Sequence, residues 1–214
     1  MWHRDFGDAH VIDCPDLALV GKTIRQIADE RGAHEVDTFL DLVIDYGPKL
    51  RWSTLIGNHN PKRVAINLNQ SCAIMGFSDA GAHLRNMAFY NFALALLQLA
   101  VQETPVMTPE KAVWRLTGEI AEWYDVDAGV LKPGAQADIV LLDPVALQHA
   151  RLDRYAEAPF ASMGGLQRVV NRNDGVIKYT LIRGQTAFEN DTPSPLLGKQ
   201  AMGRFLARGY AAVR

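Results

Sequence analysis

"SCAIMGFSDAGAH", Ser71 to His83, is the stretch on which the reading of this chain turns. A short apolar run, Cys72 to Met75, reaches Gly76, and a serine, an aspartate and a histidine then stand among glycines and alanines. The run has the length and composition of a strand, which would put Ser78 and Asp79 at its C-terminal end. In a parallel barrel, such ends converge on one mouth, where chemistry is done. A carboxylate placed there can contact a metal and exchange a proton with a bound water, the two roles a hydrolytic site needs. Gly76, Gly81, Ala80 and Ala82 would let the backbone pass close to a substrate. The same residues allow a plainer reading, in which Ser78 or Asp79 caps the following helix. Spacing alone leaves both open.

Upstream, "GKTIRQIADERG" predicts a helix with Ile24, Ile27 and Ala28 on its apolar side and Gly32 as its C-cap. "VDTFLDLVIDYG" continues with Val36, Phe39, Leu40, Val43 and Ile44, and stops at Gly47-Pro48. "RWSTLIGN" reads as a strand and "PKRVAINLNQ" as a helix opening on Pro61. His59 lies at the end of that strand and, with Asn58 and Asn60, could line the same mouth, although turn chemistry accounts for the asparagines equally well. Downstream, "NMAFYNFALALLQLAVQ" and "TPEKAVWRLTGEIAEWY" predict two helices, the second capped by Thr108 with Pro109 at its first position. Trp114, Trp123 and Tyr124 stand at helical spacing and are expected in a core. Strand–helix–strand order points to a parallel sheet or part of a barrel.

The character changes after Asp127. Pro133-Gly134 forms a type II turn pair, "ADIVLLD" follows as a strand, and "VIKYTLIRGQTAFEN" alternates and turns around Gly184. Two domains are therefore expected: residues 1–127, strands and helices of an incomplete barrel, and 128–214, a small β-domain segment ending in a short basic helix.

The 214 residues are 48% hydrophobic, enough for a sizeable core, and carry a net charge of -2. Lysines and arginines are scattered rather than gathered on one face, which argues against nucleic acid as a partner. "FALALLQLAV" is too short to span a bilayer, so no membrane partner is expected. Cys14 and Cys72 form no CxxC pair, and a reducing cytoplasm with both thiols buried is the plain expectation. His3, His10, His34 and His149 make no close metal spacing, and no GxSxG elbow, P-loop or GxGxxG loop occurs.

"GFSDAGAH" together with "TPEKAVWRLTGEIAEWYDVDAGVLKPGAQADIVLLDP" resembles the amidohydrolase superfamily, in the branch that includes the N-acyl-D-amino-acid deacylases (D-aminoacylases). The "KPG..AD" signature marks the superfamily, and "SDAGAH" narrows it to the branch. The resemblance runs from about Val20 to Gly184. It implies an α/β fold: the C-terminal part of a (β/α)8 barrel of the TIM type, followed by strands of a small β-sandwich. It also implies that Asp79 is the zinc-contacting general base that takes a proton from water and passes it to the leaving amine. Ser78, His83 and Asn58 would then contact an N-acyl amino acid substrate. Family enzymes carry further metal ligands on earlier strands, and none can be matched here. The chain is accordingly expected to be the C-terminal half of a zinc enzyme, inactive and without tightly held zinc alone. It would associate with a missing N-terminal half or with itself. The competing expectation is a non-catalytic remnant that acts only by association with a partner.

Overall fold

The structure, a computed structural model, describes residues 6–54, 57–58, 60–76, 78, 83, 85, 89–152 and 155–209. It divides into two compact units, one ending at Asn67 and one beginning at Leu68.

In the first unit, strand β1 (His10–Asp13) pairs antiparallel with β2 (Arg51–Ser53), with Val11 opposite Trp52. Helix α1 (Ile24–Arg31) starts at a capping box in which Thr23 Oγ1 accepts from Gln26 N–H and the Gln26 side chain accepts from Thr23 N–H. It ends at Gly32, whose φ of 63° is open to glycine without strain. Helix α2 (Glu35–Tyr46) begins at His34, whose Nδ1 accepts from Val36 N–H at 3.2 Å, and places Glu35 and Asp37 in its first turn, where they oppose the helix dipole. Ile24, Ile27 and Leu42 meet Val11 and Leu50 in one core, with Phe39 edge-on to Trp52 at 5.1 Å. The face that α2 buries differs from the expected one. Thr38 and Leu42 are buried, whereas Leu40 is 51% and Ile44 79% exposed. The helix is apolar on more than one side, so periodicity alone did not select the stripe the core takes. Helix α3 (Pro61–Leu68) opens as expected, with Asn60 Oδ1 accepting from Arg63 N–H at 3.1 Å.

The second unit joins helices α4 (Phe92–Ala100), α5 (Pro109–Leu116) and α6 (Gly118–Tyr124) to β-structure. Thr108 Oγ1 caps α5 from Lys111 N–H. Leu96, Ala100, Met107 and Ala112 form its helical core. Strand β3 (Ile139–Leu142) leads into helix α7 (Pro144–His149), and β4 (Tyr155–Phe160) and β5 (Leu166–Asn171) form a hairpin. Strands β6 (Ile177–Ile182), β7 (Gln185–Glu189) and β8 (Thr192–Pro193) complete a sheet of order β3-β6-β7-β8. Asp143 caps α7 by accepting from Val145 and Ala146 N–H, and these bonds, Ala146 foremost, hold its carboxyl below the usual carboxylate range with help from Lys178.

The "KPG..AD" signature makes a turn and two contacts that tie it to a distant hairpin. Ala135 N–H closes the Lys132–Pro133–Gly134 turn on Lys132 O at 3.1 Å, with Gly134 at φ +86° as a type II turn requires. Ala137 O then accepts from Gly184 N–H at 2.9 Å, and Asp138 Oδ1 accepts from Arg183 N–H at 2.8 Å. The motif thus fastens the start of β3 to the β6–β7 turn. Gly129 lies against the break between α5 and α6. A Cβ there would fall 2.7 Å from Thr117 O and 3.0 Å from Gly118 N, both backbone, at a φ of +76°. Gly129→Ala is expected to destabilise the chain by about 1–3 kcal/mol from the dihedral alone, with the backbone clash added, as read by the urea midpoint. An unchanged midpoint would refute this contact.

Several expectations are corrected. The strand expected over Cys72–Met75 does not form: Ser71 and Cys72 lie in a turn, and Ala73 to Gly76 are irregular. Every strand pairing among the described residues is antiparallel, not parallel. A strand exists only through a neighbour's hydrogen bonds, and no described strand runs beside Cys72–Gly76. Cys14 is buried as expected, but Cys72 is exposed. Trp114, Trp123 and Tyr124 are 44%, 64% and 52% exposed, because α5 and α6 turn Ala112, Arg115 and Ala121 inward instead. No helix forms among residues 200–209 of the tail.

Candidate active site

Asp79, the residue on which the chemistry was placed, lies outside the described residues, as does His59. Ser78 is half-buried and His83 exposed, both in the second unit, and no described hydrogen bond or ion pair joins them. Asn58, in the first unit, is exposed and adopts φ 57°, the left-handed conformation that asparagine tolerates in turns.

From Leu68 to Gly76 the chain leaves α3 and runs without regular structure past α5. Its carbonyls have no ladder or helix to enter, so they need side-chain donors. Arg115 supplies them. Nη1 donates to Leu68 O at 2.6 Å and to Gln70 O at 3.0 Å, while Nη2 donates to Ala73 O. Across the break into α6, Glu119 Oε2 lies 3.1 Å from Nε as the counter-charge. The Arg115 side chain is 2% exposed, and an arginine is almost never buried so deeply without partners. Lys111, one turn earlier, donates to Asn69 Oδ1 at 2.9 Å, and Asn69 Nδ2 donates to Val106 O at 3.0 Å. Met75 packs on the helical core.

Arg115 stands in no motif that marks it in the sequence. "PEKAVWRL" looks like an ordinary amphipathic helix with its arginine in water. The available signal was position: Arg115 follows Ala112 by three residues and precedes Glu119 by four, on the side of α5 that carries the buried small residue.

A zinc site normally takes three protein ligands. Among the described residues, no group of three or more His, Cys, Asp or Glu side chains could hold a metal ion. The described residues thus do not fit zinc by themselves. Likewise, no helix among them is long and apolar enough to cross a membrane.

No family model matches the chain. Uncharacterized proteins of Mycobacterium bovis and Mycobacterium tuberculosis are 47% identical to it over 193 residues, a match that covers 88% of this chain. The chain spans 31% of their length. Among solved structures, a D-aminoacylase with a binuclear metal center aligns over 94% of this chain and 38% of its own, with a TM-score of 0.52 at 22% identity. A second D-aminoacylase, one that defines a subset of amidohydrolases, aligns over the same shares with a TM-score of 0.51 at 19% identity. This chain therefore has the mixed helix-and-strand fold of the C-terminal part of the D-aminoacylases.

Proposed function

We propose that this chain is the C-terminal part of a zinc-dependent amidohydrolase that cleaves the amide of N-acyl-D-amino acids or related N-acyl compounds. The observation that carries the reading is the coincidence of "SDAGAH" and "KPG..AD" in one chain with a fold likeness to D-aminoacylases over 94% of its length. In this proposal residues 1–127 contribute the last strands and helices of a (β/α)8 barrel, and 128–214 contribute strands of a small β-sandwich.

Asp79 acts as general base and contacts the metal, and Ser78, His83 and Asn58 contact substrate. When bound, zinc supplies a positive charge that makes water acidic enough to be deprotonated near neutral pH. Asp79 takes the proton from water as its oxygen bonds to the amide carbonyl carbon. The carboxyl then returns that proton to nitrogen as the C–N bond breaks, leaving a free D-amino acid and a carboxylic acid, which gives up its own proton to the amine or to water.

Because one carboxylate does not make a three-ligand site, the chain alone is expected to hold well under one zinc per molecule by elemental analysis. It is also expected to release little amine from N-acetyl-D-amino acids. The remaining ligands come from an N-terminal half, the natural partner for association. The test supplies that half in trans, from one of the Mycobacterium relatives, by co-expression with zinc. Co-purification, stoichiometric zinc and amine release from D- but not L-substrates are expected. A co-purified, zinc-loaded assembly that releases no amine from any N-acyl-D-amino acid would overturn the reading in favour of a non-catalytic binding subunit.

A further inference from the structure

We propose that Arg115 is a positioning residue for the chain that enters the "SDAGAH" motif: its buried guanidinium fixes the path of residues 68–73, five residues before Ser78. The inference rests on the hydrolase reading for its catalytic consequence, but not for its structural part.

Burying a guanidinium is unfavourable unless its donors are met, and an apolar side chain would fill the same space more favourably. A side chain that only filled the core would not need to be arginine. This one bonds backbone oxygens of Leu68, at the end of α3, and of Gln70 and Ala73 in the irregular chain that follows. A planar fork of five donors can hold several carbonyls in fixed relation, whereas a lysine presents a single point charge. The segment ends five residues before Ser78, with Met75 packed on the core between them. Lys111 ties the same segment through Asn69, so α5 grips it at two successive turns. No regular structure of their own holds residues 73–76. Here α5 does it through side chains.

The test compares Arg115→Met and Arg115→Lys in the assembly with the N-terminal half, below their melting temperatures. Amide hydrogen exchange is followed over residues 68–83 and, as a reference, over α4 and α5. In Arg115→Met, exchange over 68–83 is expected to rise about tenfold or more while α4 and α5 stay protected. A displacement of about 1 Å at a reacting group can cost about a hundredfold, so kcat is expected to fall by about that factor with KM little changed. Arg115→Lys, which keeps the charge and is the milder change, recovers part of both. Val176→Ala, a buried change beside the start of β6 in the same unit and outside the core on which Met75 packs, is the control: it lowers the melting temperature without touching exchange over 68–83 or kcat.

Two results would overturn the proposal. One is Arg115→Met with wild-type exchange over 68–83. The other is faster exchange spread evenly through α4 and α5 with kcat unchanged, which is a packing role only. If the wild-type assembly hydrolyses nothing, the hydrolase reading fails, and the exchange measurements still decide whether Arg115 fixes the segment.

Discussion

Replacing Asp79 by asparagine in the zinc-loaded assembly is expected to lower kcat by about a hundredfold to ten-thousandfold, the contribution of a positioned general acid–base group. The substitution separates the two readings that the motif allows. Asparagine caps a helix about as well as aspartate does, so a residue whose work is to satisfy unpaired N–H groups survives the change with little loss. An amide cannot accept the proton of water at neutral pH, so a residue whose work is proton transfer does not survive it. Asp79→Asn should therefore unfold at the wild-type urea concentration while its turnover collapses. Asp79→Ala removes both capacities and should lose stability as well if the cap is also made. The outcome that sinks the base assignment is an Asp79→Asn enzyme with wild-type turnover. In that event the motif is a helix entry, and the carboxylate that drives hydrolysis must be sought elsewhere.

The features that the sequence disclosed are those settled within a few residues. The Thr108 cap with Pro109, Gly32 as a C-cap and the Pro133-Gly134 turn each depend on what one or two residues do to the backbone beside them, and all appear where expected. The β6–β7 hairpin followed from alternation interrupted at Arg183-Gly184. What was misread depends on partners distant in sequence. Cys72–Met75 has a strand's composition, but its neighbourhood includes a buried arginine rather than a described strand. Trp114 and Trp123 have the bulk of core residues, yet the inward positions of their helices belong to Ala112, Arg115 and Ala121. The "KPG..AD" signature was legible as a marker, but its reason was not. Asp138 is held by the N–H of Arg183, a residue 45 positions away, and no local pattern reports that. For the candidate site, the motif residues were legible and the residue gripping the chain before them was not. Apart from Glu119, Arg115 meets backbone carbonyl oxygens, which every residue has and no motif displays.

Leu42→Ala is expected to destabilise the first unit by about 2–5 kcal/mol, and Leu40→Ala, the same chemical change two residues away on the same helix, by less than about 0.5 kcal/mol. Helix α2 carries apolar residues around much of its circumference, so its composition does not say which side supports the fold. The structure makes the choice: Leu42 is 0% exposed and Leu40 is 51% exposed. Removing Leu42 deletes methyl groups that meet a cluster containing Val11, Ile24 and Ile27, and the surrounding strands and helix can close the space only in part. Alanine at residue 40 loses less apolar contact and gains slightly in helix propensity, so the two effects nearly offset. Urea unfolding of both variants, together with hydrogen exchange over residues 6–54, reads the difference. Comparable losses for the two would mean that Leu40 packs as tightly as Leu42 in solution, and that α2 is rotated about its axis relative to the core described by Ile24 and Val11. An unfolded Leu42→Ala beside a wild-type-like Leu40→Ala would fix the orientation of the helix to within the 100° or so that separates neighbouring faces.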